Sequence, residues 1–99
     1  MKLIWSRFAR SDRDRIFSYI EAQSPNAAVT VDERISVAAR RLTAFPESGR
    51  PGRVAGTREL VVRRTSFVVV YSLTEDTVFV RRVLHGAQLW PDELANEQF

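Results

Sequence analysis

The sequence predicts an α+β fold: one short N-terminal strand, an antiparallel α-hairpin, then an antiparallel β-sheet, in the order β-α-α-β-β-β with an optional C-terminal helix. Three observations carry that prediction. A stretch without Gly or Pro from Arg7 to Gln23, followed by an apolar stripe at steps of three and four, makes two helices. Most of the turn residues then fall between Pro46 and Gly56. Beyond them lie apolar runs separated by short polar turns, with lengths suited to antiparallel hairpins.

Each element has its own signal. Lys2 to Trp5 is short and apolar, and Ser6 is a good N-cap for the helix that follows. In that helix Ala9, Ile16, Phe17 and Ile20 recur at near-helical spacing, which assigns Asp12, Arg13, Asp14 and Arg15 to the outer surface. Ser24-Pro25 then pairs an N-cap with proline at the first helical position, ending one helix and starting the next. On the second helix Ala28, Val31, Ile35, Ala38 and Leu42 form one stripe whose small members let two helix axes approach closely.

Phe45 to Gly56 reads as a loop. The strands follow as Thr57–Arg64, Phe67–Leu73 and Val78–Leu84, the middle one apolar on both parities as a central strand must be. Trp90-Pro91-Asp92-Glu93 suits a short terminal helix.

Composition limits the function classes. The 99 residues make one domain, 1–99, and 44% hydrophobic content supports a real core. There is no cysteine, which excludes disulfides, thiolate metal sites and thiol catalysis. The longest apolar run, Phe67 to Tyr71, is far short of the ~20 residues of a membrane span. The first residues lack a signal-peptide pattern, so a soluble cytoplasmic protein with no membrane partner is expected. Gly49, Gly52 and Gly56 match no nucleotide-binding spacing, one histidine gives no metal cluster, and no nucleophile elbow accompanies it. No cofactor is expected.

The net charge is +3 with a pI near 10.2, because Lys2 is the only lysine among 15 basic residues. Guanidinium forks suit carboxylates and phosphates alike. Arg50, Arg53, Arg58, Arg63 and Arg64 crowd the loop and the strand after it, with Glu59 as their one acidic companion. They make either a solvated loop, with Arg58 paired to a backbone group or carboxylate, or a docking edge for an acidic segment or a DNA-bound target. Phe8, Phe17 and Tyr19 cannot all face one core stripe, so they either close the first helix on the sheet or leave aromatic surface for a partner.

The joints of this pattern resemble the ParE/RelE toxin superfamily from Leu3 to about Pro91. Trp5-Ser6 with Ala9, and Tyr19-Ile20, resemble its opening. Phe45-Pro46-Glu47-Ser48-Gly49-Arg50-Pro51-Gly52 resembles its P-x-x-G-R loop, and Thr57-Arg58-Glu59-Leu60-Val61-Val62 the T-R-E-L-V strand of ParE-type members. Val69-Val70-Tyr71 and Val83-Leu84-His85-Gly86, followed by Trp90-Pro91, resemble the last strands and the exit. Arg13 departs from the pattern, standing where members usually carry an apolar residue, so looser packing of the first helix is expected there.

The resemblance implies a toxin that arrests growth until a cognate antitoxin masks it. ParE-type members poison DNA gyrase, whereas RelE-type members cut messenger RNA on the ribosome. Metal-free RNA cleavage needs a base, an acid and a cation for the phosphorane charge. The basic positions of RelE-type nucleases hold Glu59, Val61 and Val68 here, and no tyrosine follows Tyr71. That favours gyrase poisoning. The alternative, a ribosome-dependent endoribonuclease, would rest on His85 with Arg81, since some nuclease members use a histidine near that position. A third reading is a module that no longer poisons and survives as an antitoxin-binding co-repressor.

His85 itself reads as a satisfied histidine at a strand end, a partner contact or a catalytic group. Strand parity puts Arg81 and His85 on one face and Arg82 on the other. The residues expected to meet a partner are Phe8, Phe17, Tyr19, Arg50, Arg53, Arg58, Arg63, Arg64 and Arg82. An antitoxin segment with acidic and amphipathic character would suit them, as a helix in a groove or a strand at the sheet edge.

Overall fold

The computed structural model describes residues 1–86. In chain order the elements are β1 (Lys2–Trp5), α1 (Arg7–Glu21), α2 (Pro25–Arg41), β2 (Arg50–Pro51), β3 (Arg58–Val61), β4 (Phe67–Leu73) and β5 (Thr77–His85). The expected order stands, with the two-residue β2 added inside the stretch read as loop. The terminal helix expected at Trp90 to Glu93 lies outside the described residues.

Both helices begin as their serines dictate. The Ser6 hydroxyl accepts from the Ala9 amide at 3.0 Å and donates to the Arg81 carbonyl at 2.7 Å, so one side chain caps α1 and ties it to β5. Ser24 caps α2 through the Ala27 amide, and Pro25 fills a position whose N–H would have no helical partner.

The sheet order is β1-β5-β4-β3-β2. β2 to β5 are antiparallel, as expected, and β1 joins the far edge parallel to β5, from Lys2 beside Thr77 to Trp5 beside Val80. Ala9 of α1, Ile35 and Ala39 of α2, and Leu42 at the C-cap of α2 pack on Val62, Val69, Tyr71, Val78, Val80 and Val83. Full burial of a side chain such as Ile35 or Leu42 contributes about 1.5–3 kcal/mol. Of the predicted α2 stripe, Ala28, Ile35 and Leu42 are buried, and Val31 and Ala38 pack at its margin. On the opposite face of the sheet Val54 covers Val70 and Leu84.

Four expectations are corrected. Asp12 is not on the outer surface: it is 3% exposed, and its carboxylate accepts from Arg82 Nε at 2.7 Å, Arg82 Nη2 at 3.0 Å and the Val83 amide at 2.9 Å. β1 ends at Trp5, so the β5 edge lacks a strand partner beyond Val80, and Asp12 supplies the acceptor there. Arg13 does not loosen α1, because it forks onto Asp32 of α2 at 2.9 and 3.0 Å and lies 4.6 Å over the Trp5 ring.

The third correction concerns the strand read as Thr57–Arg64. β3 ends at Val61, since the Thr65 hydroxyl donates to the Val62 carbonyl and accepts from the Phe67 amide, and Arg64 takes a left-handed φ of 62°. Arg63 and Arg64 therefore belong to the turn. The fourth is the face of Arg81. A β-bulge pairs Tyr71 with Val80 but Val70 with Arg82, leaving Arg81 as the extra residue. Arg81 donates to Ser72 Oγ at 2.9 Å and covers the Phe79 ring, so it shares the outer face with Arg82, and His85 goes with Phe67 to the other.

Candidate functional site

The arginines of the loop divide into braces and rim. Arg58 donates to the Gly49 carbonyl at 2.7 Å and the Glu47 carbonyl at 3.3 Å. Tyr71 completes the clamp: its hydroxyl donates to the Pro46 carbonyl at 2.7 Å and accepts from the Gly49 amide at 2.9 Å. A Cβ on Gly49 would lie 2.6 Å from that hydroxyl, so the close approach requires glycine. Burial pushes the Tyr71 hydroxyl pKa above its ordinary value; the Gly49 hydrogen bond and the Arg58 charge oppose the shift without reversing it.

Glu59 fixes the next stretch. Its carboxylate is buried and accepts from Arg50 Nη2 at 3.1 Å and the Arg53 amide at 2.8 Å, with Arg53 Nε at 3.8 Å. A buried carboxylate needs such donors to offset its lost hydration. The loop pattern and the strand pattern singled out in the sequence are thus one braced unit.

The remaining arginines frame a groove. Between α2 and the edge of β3 is an open cavity of about 610 Å³, with Arg34, Arg41, Arg63 and Arg64 around it, Glu33 the one acid, and Val37, Phe45 and Leu60 among its apolar walls. Phe45 is 61% exposed and Val61, at the strand edge, 52%. Large apolar groups left in water beside a cationic rim mark a surface suited to a partner.

Of the residues expected from sequence to meet a partner, the groove gathers only Arg63 and Arg64. Arg50, Arg53 and Arg58 serve the braced loop, and Arg82 holds Asp12. Phe8 and Tyr19 are exposed on α1, Phe8 under the Arg7 guanidinium, and Phe17 lines a shallow cleft with Arg10 and Arg13. His85 is exposed and stands edge-on to Phe67 at 5.6 Å. Arg34, Val37, Arg41 and Phe45 were missed. The signal was present: Val37 is an apolar residue off the buried α2 stripe, and Arg34 and Arg41 flank it at steps of three and four.

Among the described residues no group of histidine and acidic side chains could hold a metal ion, and no helix is long and apolar enough to cross a membrane.

Comparison with known proteins decides the family. The model of the ParE toxin of type II toxin–antitoxin systems matches residues 3–90. The chain belongs to the ParE toxin family. It is 39% identical over 93 residues to putative toxin Y4kP of Sinorhizobium fredii, covering 94% of this chain and 96% of that one. To toxin RelE2 of Caulobacter vibrioides it is 35% identical over 88 residues, covering 89% and 98%. Among solved structures, the chromosomal ParDE system of P. aeruginosa matches with a TM-score of 0.77 and 27% identity, covering 86% of this chain and 95% of that one. The RelBE2 toxin–antitoxin complex of Mycobacterium tuberculosis matches with a TM-score of 0.57 and 24% identity over 85% and 95%, a likeness of fold alone. This ParE-family chain is accordingly a toxin of the type II class, as its sequence pattern implied.

Proposed function

We propose that this ParE-family toxin arrests growth by binding and poisoning DNA gyrase, without cutting RNA, and that a cognate antitoxin neutralises it. The observation that carries the reading is the state of the sheet positions at which RNA-cutting relatives are expected to hold bases. Glu59 is buried and engaged by Arg50 and Arg53, Val68 is buried, and Val61 is an apolar edge residue. None can take a proton from a 2′-hydroxyl or give one to a leaving oxygen. Both gyrase and the antitoxin are cytoplasmic, so the toxin acts there.

The ribonuclease reading keeps one point in its favour, since a relative at 35% identity is named toxin RelE2 and His85 is exposed at a strand end. The test is direct. Purified toxin is added to gyrase in supercoiling and DNA-cleavage assays, and separately to ribosomes programmed with messenger. Trapped cleaved DNA with intact messenger supports the proposal; cuts at defined codon positions with unaffected gyrase overturn it.

A further inference from the structure

α1 carries an exposed face of its own. Phe8, Asp12, Arg15 and Tyr19 follow one another at steps of four, three and four, so they form a single stripe along three turns, ~16 Å long. The core takes Ala9 and Ile16 from the same helix, and none of the four lines the groove beside α2 or the cleft at Phe17. Only Asp12 is buried; Phe8 is 37% exposed, Tyr19 73% and the Arg15 side chain 68%. Asp12 makes the stripe rigid. Its carboxylate holds α1 to β5 through Arg82 and Val83 and also accepts from Arg15 Nη2 at 2.8 Å. Arg15 is thereby fixed between an aromatic residue on either side along the helix, and Arg7 lies 5.2 Å over the Phe8 ring at the stripe's end.

Tyrosine and arginine are the residue types that dominate binding energy at protein interfaces, and an arginine already held in place loses little freedom on meeting a partner. The charge of what fits follows from the same residues. The one acid on the stripe is buried and committed, and Asp14 lines the cleft on the other side of α1, so Arg7 and Arg15 face solvent with no exposed carboxylate among them. A second copy of this chain does not fit, because it would set these arginines against their own like. Duplex DNA answers the arginines but buries neither ring, since its outer surface is charged phosphate. We propose that this stripe is the face by which the toxin grips gyrase, docking on a protein patch that carries carboxylates around an apolar centre. The inference rests on the reading that gyrase is the target, and adds which face meets it and that the contact is with protein rather than DNA.

The test measures toxin binding to purified gyrase without DNA, beside inhibition of supercoiling, for the parent and for Tyr19→Ala, Arg7→Glu and Val29→Ala. Circular dichroism confirms each fold. Tyr19 is mostly in solvent and a glutamate suits the first turn of α1, so both stripe variants should fold. The parent is expected to bind DNA-free gyrase. Tyr19→Ala should bind about tenfold more weakly, with its half-inhibitory concentration raised by a similar factor. Arg7→Glu should weaken binding by about tenfold at low salt and by less at high salt. Val29→Ala, exposed on α2 away from the stripe, should stay within about threefold of the parent. If folded Tyr19→Ala and Arg7→Glu both bind gyrase within about threefold of the parent, the stripe is not the contact, while the gyrase reading stands. A parent that binds gyrase only when DNA is present overturns the protein contact in favour of DNA. A parent that neither binds gyrase nor inhibits it overturns both readings.

Discussion

Asp12 and Arg82 hold each other 70 residues apart in the chain, both nearly without solvent, and the same carboxylate closes the β5 edge through Val83. Asp12→Ala removes an acceptor from a buried guanidinium and from a strand amide together. The variant should lose about 3–5 kcal/mol in urea unfolding, the cost typical of breaking a buried pair from one side. A loss below about 1 kcal/mol would show that relaxation or water replaces the carboxylate.

Tyr71→Phe should lower stability at neutral pH by about 1–3 kcal/mol, since the Pro46 carbonyl and the Gly49 amide lose their partner. The pH dependence has a definite sign. Burial raises the Tyr71 pKa in the folded state, so the folded toxin retains this proton more firmly than the unfolded chain. Its contribution is complete below the unfolded value of about 10 and is lost as pH rises through the folded one. Denaturation midpoints of the parent should fall more steeply above pH 10 than those of Tyr71→Phe.

His85→Ala should leave growth arrest largely intact. A general base contributes about 10²–10⁴-fold to a rate, so its removal would abolish arrest by a nuclease. A strand-end ring packed edge-on to Phe67 affects stability by about 1 kcal/mol, which a folded domain survives. Colony counts after induction, with circular dichroism confirming the fold, separate the two. A folded variant harmless to cells would favour the ribonuclease.

Arg58 and Arg41 should respond differently to substitution, although both are arginines near the same loop. Arg58→Ala removes the bonds to the Glu47 and Gly49 carbonyls and should cost about 1–3 kcal/mol of stability. Arg41→Ala, on the groove rim, should change stability by less than about 0.5 kcal/mol and appear instead in antitoxin affinity. Thermal unfolding beside binding isotherms checks the contrast.

Much of the architecture was legible because local signals agreed with the fold. Ser6 and Ser24-Pro25 act on the first turn of the helix each begins, and the Ala28 to Leu42 stripe runs over about four turns of one helix. One misreading is local, the end of β3, which the Thr65 hydroxyl sets within three residues; the others depend on distant parts of the chain. Nothing within α1 marks Asp12 as buried, because its partner is on β5. Arg13 reads as a packing defect until Asp32 and Trp5 are placed beside it. The face of Arg81 depends on a bulge that no residue type announces. The loop arginines were indistinguishable in sequence, and only Glu59, Tyr71 and the carbonyls at Glu47 and Gly49 divide them into braces and rim. The groove needed Val37 and Phe45 to come together from α2 and the loop after it.

The pairing of β1 with β5 has a consequence for synthesis on the ribosome. Lys2 to Trp5 find their strand partners only at Thr77 to Val80, so the first strand must wait for nearly the last part of the described chain. Asp12 waits as well, for Arg82 and Val83. A nascent chain that has emerged only as far as β4 can form its helices and the β3–β4 hairpin but not the complete sheet. A message interrupted before the β5 codons therefore encodes a chain that lacks the strand on which both β1 and β4 pair, so its sheet stays incomplete.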